Sequence, residues 1–308
     1  MHFRRWGGWR HALQLGVVGG LFAIGTLASA GVLRYCDADG VISAQAQSRL
    51  LQFSDIAKAQ LQASGAQVAL TSVAGLDLDR LGIRYSHMGI SLQTSAHGPW
   101  AVRQLYFDCE QRQSRLFDQG IAGFATGRQP TDAVYLSLLL LPQPAAEALA
   151  VIARDNASAM ALLGGTYSAN AYPFSDRYQN CNQWVLEMLA TAWGALPIDG
   201  DVRANAQQWL RDQGYTPDIV KVGWTPLMWL SGQLPWLHRD DHPAQDQQDL
   251  LYRVSLPQSI ESFARAQQPD ALRIELCMQE SRVVIRRGWQ AIGATCEPEA
   301  NDETVELK

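Results

Sequence analysis

The strongest constraint on the fold is a strict alternation of side chains along residues 82–93, GIRYSHMGISLQ. A strand of this period presents two sets of side chains on opposite faces: Ile83, Tyr85, His87 and Gly89, and then Met88, Ile90 and Leu92. A loop at 94–99 leads into a second strand-like segment at 100–108, WAVRQLYFD. We therefore expect these two segments to pair as an antiparallel hairpin.

The remaining periodicities predict strands and helices in mixed order. Further strands are expected at 68–73, 114–117, 133–141 and 250–256, with a C-terminal hairpin of 272–279 and 283–289. Helices are expected at 43–63, 144–163, 181–193, 203–213 and, capped by Ser259, at 259–266. The apolar run 133–141 favours a central strand that is covered on both faces. A few helices beside an antiparallel sheet predict the α+β class.

The length allows a substantial core, and the charge argues against a nucleic acid partner. The chain has 308 residues, 47% of them hydrophobic, which is enough for a substantial core. Its net charge is −5, and its lysines and arginines are scattered. Nucleic acid binding requires a basic surface, so we expect no nucleic acid partner.

The N-terminus has the three parts of an export signal. Arg4, Arg5 and Arg10 precede an uncharged apolar run at 12–27, and Ala28-Ser29-Ala30 follows. An uncleaved membrane anchor is the alternative, but the run is short for the ~20 residues that span a bilayer. We expect cleavage after Ala30, a periplasmic protein, and no stable membrane span once the signal is removed.

Five cysteines follow the predicted cleavage site, and an oxidising compartment allows them to form disulfides. Their odd number leaves at least one thiol unpaired within the chain. Cys277 and Cys296 are close in sequence around the C-terminal hairpin, and a Cys36–Cys109 bond would tie the new N-terminus to the domain. Spacing alone leaves other pairings open. On this pairing, Cys181 remains free.

Cys181 lies in the segment 177-RYQNCNQWV-185, at the expected start of a helix. Asn180 is suited to the N-cap and Gln183 to the third helical position, as in a capping box. The backbone N–H groups and the positive dipole end of a helix start favour a thiolate over a thiol. Cys181 is therefore a candidate nucleophile, although a small core residue and half of a disulfide are alternative interpretations.

A nucleophilic cysteine needs a base, and His87 is the best candidate. Four histidines follow the signal (His87, His97, His238 and His242), and His87 alone lies inside a predicted strand. Gly89 shares its predicted face and would let a helix end approach closely. A hydrogen-bonded structural histidine is the alternative.

The segments 85-YSHMGIS-91 and 180-NCNQWVLEML-189 resemble the circularly permuted NlpC-like branch of the papain superfamily, which includes lecithin–retinol acyltransferase. In that branch a strand histidine in an H-x-G-I context precedes the helix cysteine. The segment 165–185 is also similar to an exported bacterial family of unknown function. The resemblance covers residues 36–256. It implies a permuted papain-like domain at 31–256, after the signal at 1–30, with residues 257–308 as a helix and hairpin packed on it.

The resemblance also implies roles for single residues. Cys181 would be the nucleophile and His87 the base. The branch places a polar residue, often His or Glu, on the strand after the histidine, and this chain offers Gln104 there, with His97 and Asp108 as less central alternatives. A neutral amide would orient the base without stabilising its charged form. The oxyanion would be bound by the Cys181 N–H and by Gln179 or Tyr178.

No cofactor and no metal are expected. The segment 238-HRDDH-242 has the composition of metal ligands, but prolines bracket it and an acidic turn in solvent is the preferred interpretation. The sequence thus predicts an exported cysteine hydrolase, an amidase, peptidase or acyl hydrolase, that acts on an envelope peptide or acyl substrate. The alternative is a catalytically weak papain-like domain that binds an envelope partner.

Overall fold

An eight-stranded antiparallel sheet forms the centre of the protein in the computed structural model, which describes residues 42–75, 78, 81–126, 133–222 and 234–308. The predicted signal at 1–30 lies outside the described residues. Ten strands are described: β1 Val68–Val73, β2 His87–Leu92, β3 Ala101–Asp108, β4 Gln113–Gln119, β5 Ala133–Leu140, β6 Asp218–Lys221, β7 Leu251–Val254, β8 Leu272–Gln279, β9 Arg282–Arg287 and β10 Glu303–Glu306.

The order of strands in the large sheet is β10-β9-β8-β5-β1-β2-β3-β4, and β6 and β7 form a separate antiparallel pair. The predicted hairpin of β2 and β3 is confirmed. The prediction for residues 133–141 is also confirmed, because β5 lies between β1 and β8 and its last six residues are buried. Since β8 pairs with β5, the C-terminal part of the chain contributes strands to the central sheet.

Eight helices are described: α1 Ala44–Ala63, α2 Ile121–Ala125, α3 Gln143–Arg154, α4 Asn156–Ala161, α5 Cys181–Trp193, α6 Val202–Asp212, α7 Ala244–Gln248 and α8 Pro257–Gln267. Alternate positions of one strand separate the two faces of the sheet. Val73 of β1 belongs to the apolar cluster that packs with α1. The neighbouring Ser72 bonds to Glu261 of α8. Helices therefore cover both faces, and α5 packs against β2 and β3. The α+β class with an antiparallel sheet is confirmed.

Three element predictions were wrong in detail. The predicted strand at 82–93 begins only at His87, because the side chains of Arg84 and Tyr85 hydrogen-bond to Glu275 of β8 and draw this stretch away from the strand path. The predicted helix at 144–163 is divided at Asp155, whose carboxylate accepts from two backbone N–H groups and caps α4. Ser259 is the third residue of α8, not its cap, and its hydroxyl accepts from Leu256 N.

The structure confirms part of the cysteine prediction. Cys277 and Cys296 form a disulfide with an S–S distance of 2.06 Å. Among the described residues Cys181 is the free cysteine. Cys109 is disulfide-bonded as well. Its predicted partner, Cys36, lies outside the described residues, so that pairing stays a prediction. Within the described ranges, no helix has the length and apolarity that crossing a membrane requires.

Candidate active site

Asn180 fixes the start of α5, as predicted. Its backbone is extended, and its side-chain oxygen accepts a hydrogen bond of 2.7 Å from Gln183 N. Only this half of the predicted capping box forms. The Gln183 amide donates instead to the carbonyls of Pro173 and Ser175 and to Glu187. Cys181 is consequently the first helical residue, where backbone N–H groups are unpaired within the helix.

The surroundings of Cys181 favour its thiolate. The residue is 7% exposed. Burial raises the pKa of its thiol, but the charge of His87, a side-chain hydrogen bond with His87, the Asn182 N–H and the Tyr167 hydroxyl all lower it. The net result is a pKa below the ordinary value for a cysteine. A charged neighbour and hydrogen-bond donors that together overcome desolvation are the arrangement that activates a cysteine nucleophile.

His87 and Gln104 meet where two strands separate. The ladder between β2 and β3 ends at the pair Ile90–Arg103, so the two side chains lie beyond the last backbone pairing. His87 Nε2 hydrogen-bonds to Gln104 Oε1. An amide oxygen only accepts, so Nε2 carries the proton and Nδ1 is left to receive one. The Phe124 ring, 5.3 Å from the imidazole between centroids, contacts it from α2.

Gly89 has a different role from the one predicted. A Cβ at this position would lie 2.5 Å from Val102 Cγ1, 3.0 Å from Arg103 O and 3.3 Å from Phe124 Cε2. The glycine therefore makes room for β3 and α2, and not for the start of α5. The prediction that it admits the helix end was wrong.

The predicted oxyanion residues are engaged elsewhere. Both hydrogens of the Gln179 amide are donated, to Leu162 O and to Glu187 Oε2. The Tyr178 hydroxyl donates to Asp240 at 2.9 Å. These bonds leave neither group a free donor for a substrate oxygen. Of the alternatives for the third residue, His97 is 59% exposed near Asp118, and Asp108 binds backbone N–H groups and Arg115.

Tyr167 is a site residue that the sequence reasoning missed. It is 3% exposed, its ring stacks on Phe107 at 4.9 Å between centroids, and its backbone forms a bridge with Gln179. These contacts bring its hydroxyl into hydrogen-bonding reach of Cys181. The only signal in the sequence was its position within the segment 165–185.

A buried ionic network supports the segment that precedes Cys181. The Glu187 carboxylate lies two turns into α5 and has no exposed surface. It accepts hydrogen bonds from Gln179, Gln183, Arg203 and Gln207. Arg203 also donates to the carbonyls of Asp176 and Tyr178, and thus links the network to the chain before the nucleophile. A buried carboxylate with this many donors is well compensated.

The segment 238-HRDDH-242 also supports the chain that precedes Cys181, through contacts with Asn170 and Tyr172. His242 Nε2 bonds to Asn170 O at 2.7 Å, and Asp241 accepts from Tyr172 N at 2.8 Å. The side chains of Asp241 and His242 are both fully buried, whereas Asp240 is exposed, so the predicted turn lies only partly in solvent. The described residues contain no group of three or more His, Cys, Asp or Glu side chains that could hold a metal ion.

Comparison with protein families gives a match over most of the chain. Residues 60–264 match the family described as "Uncharacterized protein conserved in bacteria (DUF2145)", and this span contains Cys181, His87 and Gln104. No curated protein and no solved structure shows significant similarity to the chain. Nothing in these comparisons links it to the NlpC-like hydrolases.

Proposed function

The chain belongs to the DUF2145 family of uncharacterized bacterial proteins, and we propose that it is an exported cysteine hydrolase. The observation that carries this proposal is the contact of Cys181, at the start of α5, with His87, whose ring is oriented by Gln104. A helix-start thiol, a base and an orienting amide are the parts that a thiol nucleophile requires. The substrate would be an amide or an ester of the cell envelope.

The reaction would proceed through an acyl-enzyme. Cys181 Sγ transfers its proton to His87 Nδ1 and attacks the carbonyl carbon, which forms a C–S bond and a tetrahedral oxyanion. His87 then donates the proton to the leaving amine or alcohol as the C–N or C–O bond breaks. A water molecule, deprotonated by His87, attacks the thioester, and the acid leaves as the thiol is restored.

Two donors are suited to the oxyanion. The Cys181 backbone N–H lies in the first turn of α5, where no helical partner exists. The Tyr167 hydroxyl lies within hydrogen-bonding reach of Sγ and is held by the stack on Phe107. The Cys181 N–H was already predicted, and we propose the Tyr167 hydroxyl in place of Gln179 or Tyr178 as the second donor.

The finer fold assignment and the localisation belong to the same proposal. An antiparallel sheet packed against a cysteine-bearing helix, with the histidine strand before that helix in the chain, supports a permuted papain-like domain. The N-terminal sequence and the Cys277–Cys296 disulfide support export to the periplasm.

Acyl-enzyme trapping tests the function. The purified protein is mixed with p-nitrophenyl acetate, and we expect a burst of nitrophenolate and a Cys181 peptide heavier by one acetyl group. Cys181→Ser and His87→Ala should each abolish the burst, whereas His97→Ala should retain it, because His97 lies in an exposed loop. A burst that persists without Cys181 would refute the proposal.

A second candidate is a catalytically weak domain that binds an envelope partner. Two observations favour it: Gln104 is neutral, and Cys181 is only 7% exposed. In that case the thiol would still be reactive towards small alkylating agents, but no acyl-enzyme would form and turn over. Single-turnover measurements with the nitrophenyl ester separate the two candidates.

A further inference from the structure

Asn182 follows the proposed nucleophile and joins it to the strand of the base. The residue is 2% exposed. Its Nδ2 donates to Ser86 O and to Ser255 O, each at 3.1 Å. Ser86 is the residue immediately before His87 in the chain. One buried amide group therefore spans from the first turn of α5 to the start of β2.

The start of β2 has ladder pairing with β1 but lies beyond the end of the ladder with β3. His87 pairs with Val73 of β1, but the ladder to β3 ends at Ile90. On the β3 side the contact is made by side chains, His87 to Gln104. The Asn182 bond to Ser86 O thus adds a restraint on the backbone next to the base.

The second acceptor, Ser255 O, fixes the orientation of the Asn182 amide. Ser255 is fully buried, and its hydroxyl accepts from Tyr215 at 3.0 Å. Both hydrogens of the Asn182 amide are used, one on each carbonyl, so the group has a single well-bonded orientation. Its Oδ1 atom accepts a weak hydrogen bond of 3.7 Å from Cys181 Sγ. A buried amide is costly unless its donors are satisfied, and here they are satisfied by fixed backbone atoms.

We propose that Asn182 is a positioning residue that sets the distance and angle between Cys181 and His87. This inference rests on the proposed function, because the geometry matters only if the two groups exchange a proton. A side chain that merely anchored α5 would affect stability without changing how strongly His87 activates the thiol.

The test compares alkylation of Cys181 by iodoacetamide at pH 6 and at pH 9, with the modified peptide identified by mass. The ratio of the two rates cancels changes in access to the sulfur. We expect Asn182→Ala to lower the ratio by about tenfold, the effect of raising a thiol pKa by one unit when the lower pH lies below it. Asn182→Ser retains one short donor and should give a smaller loss in the same direction, which provides a second measurement if the alanine variant folds poorly.

A double-mutant cycle separates positioning from anchoring. In a His87→Ala background, Asn182→Ala should change the ratio by less than about twofold, since the base that it positions is absent. Thr191→Ala is the matched control: Thr191 is a buried residue of α5 whose hydroxyl donates to Glu187 O, remote from Cys181. Thr191→Ala should lower the stability about as much as Asn182→Ala does, and should leave the ratio of alkylation rates unchanged.

The outcomes are distinguishable. An ordinary thiol ratio in the unaltered protein overturns the proposed function and this inference with it. A high ratio that His87→Ala lowers and Asn182→Ala leaves intact overturns this inference alone. Equal effects of Asn182→Ala in the presence and in the absence of His87 would also overturn it, because they would indicate anchoring of the helix.

Discussion

Replacing His87 by alanine removes the group that opposes the desolvation of Cys181. Burial raises the pKa of this thiol; the charge and the hydrogen bond of His87 are the largest effects that lower it, and the Asn182 N–H and the Tyr167 hydroxyl add to them. Without His87, Cys181 is still buried, at 7% exposure, and this burial still raises the pKa of its thiol. We therefore expect the thiol pKa in His87→Ala to rise to the ordinary value of about 8.5 or above it.

The magnitude follows from the fraction of thiolate at two pH values. For an ordinary thiol, the ratio of alkylation rates at pH 6 and pH 9 is about 0.004. Each unit by which a pKa lies below that value raises the ratio about tenfold until the thiol is ionised at both pH values. Because the pKa of Cys181 lies below the ordinary value, the ratio of the unaltered protein should exceed the ordinary ratio. The ratio of His87→Ala should fall to the ordinary ratio or below it.

The assay follows iodoacetamide labelling of Cys181 by mass spectrometry of the intact protein and its peptides. His97→Ala is the matched control, because His97 is 59% exposed and lies beside Asp118, outside the site. It should keep the ratio of the unaltered protein. Equal ratios for the unaltered protein and His87→Ala would refute the reasoning, since the charge of His87 would then have no effect on the sulfur.

Three further changes test the site and its support. Gln104→Glu places a carboxylate at the imidazole Nε2 and favours the protonated form of the ring. The pH above which the rate of ester hydrolysis by the protein declines should therefore rise by about one unit. An unchanged pH profile would contradict this orientation of the ring. Gly89→Ala should lower the free energy of unfolding in urea by about 1–3 kcal/mol, because its Cβ would lie 2.5 Å from Val102 Cγ1, and equal stability would contradict the packing. Arg203→Leu leaves the Glu187 carboxylate buried without its ion-pair partner and should cost about 3–5 kcal/mol in the same measurement; equal stability would contradict the network.

Local patterns predicted the elements whose side chains interact with near neighbours in the chain. The helix at Cys181–Trp193 has the predicted bounds, because its N-cap, Asn180, and the following Gly194 both act within one turn of the backbone. The hairpin of β2 and β3 was predicted for the same reason, from a short connection between two apolar segments.

The predictions failed where contacts distant in sequence decide the path. Alternation extended the strand of His87 back to residue 82, but Tyr85 bonds to Glu275, which lies 190 residues away in sequence. The helix expected at 144–163 failed for a local reason instead, because the Asp155 carboxylate caps a new helix and competes with helix continuation. The site residues were likewise predicted only in part. Cys181 and His87 were named from a predicted helix start and a predicted strand, and Gln104 from the family resemblance. The supporting roles of Tyr167 and Asn182 arise from contacts with residues on other elements.

By itself, the sequence determined the α+β class and the start of the cysteine helix, since these depend on periodicity and capping. The odd number of cysteines left at least one thiol unpaired within the chain, and the structure identifies Cys181 as the free one among the described residues. Only the tertiary structure decided which groups act on that thiol. The end of the β2–β3 ladder, the space that Val102 and Phe124 leave at Gly89, and the two carbonyls bound by Asn182 are set by packing of elements far apart in the chain. The pKa of a buried sulfur depends on distances of a few ångströms, and a linear sequence does not contain those distances.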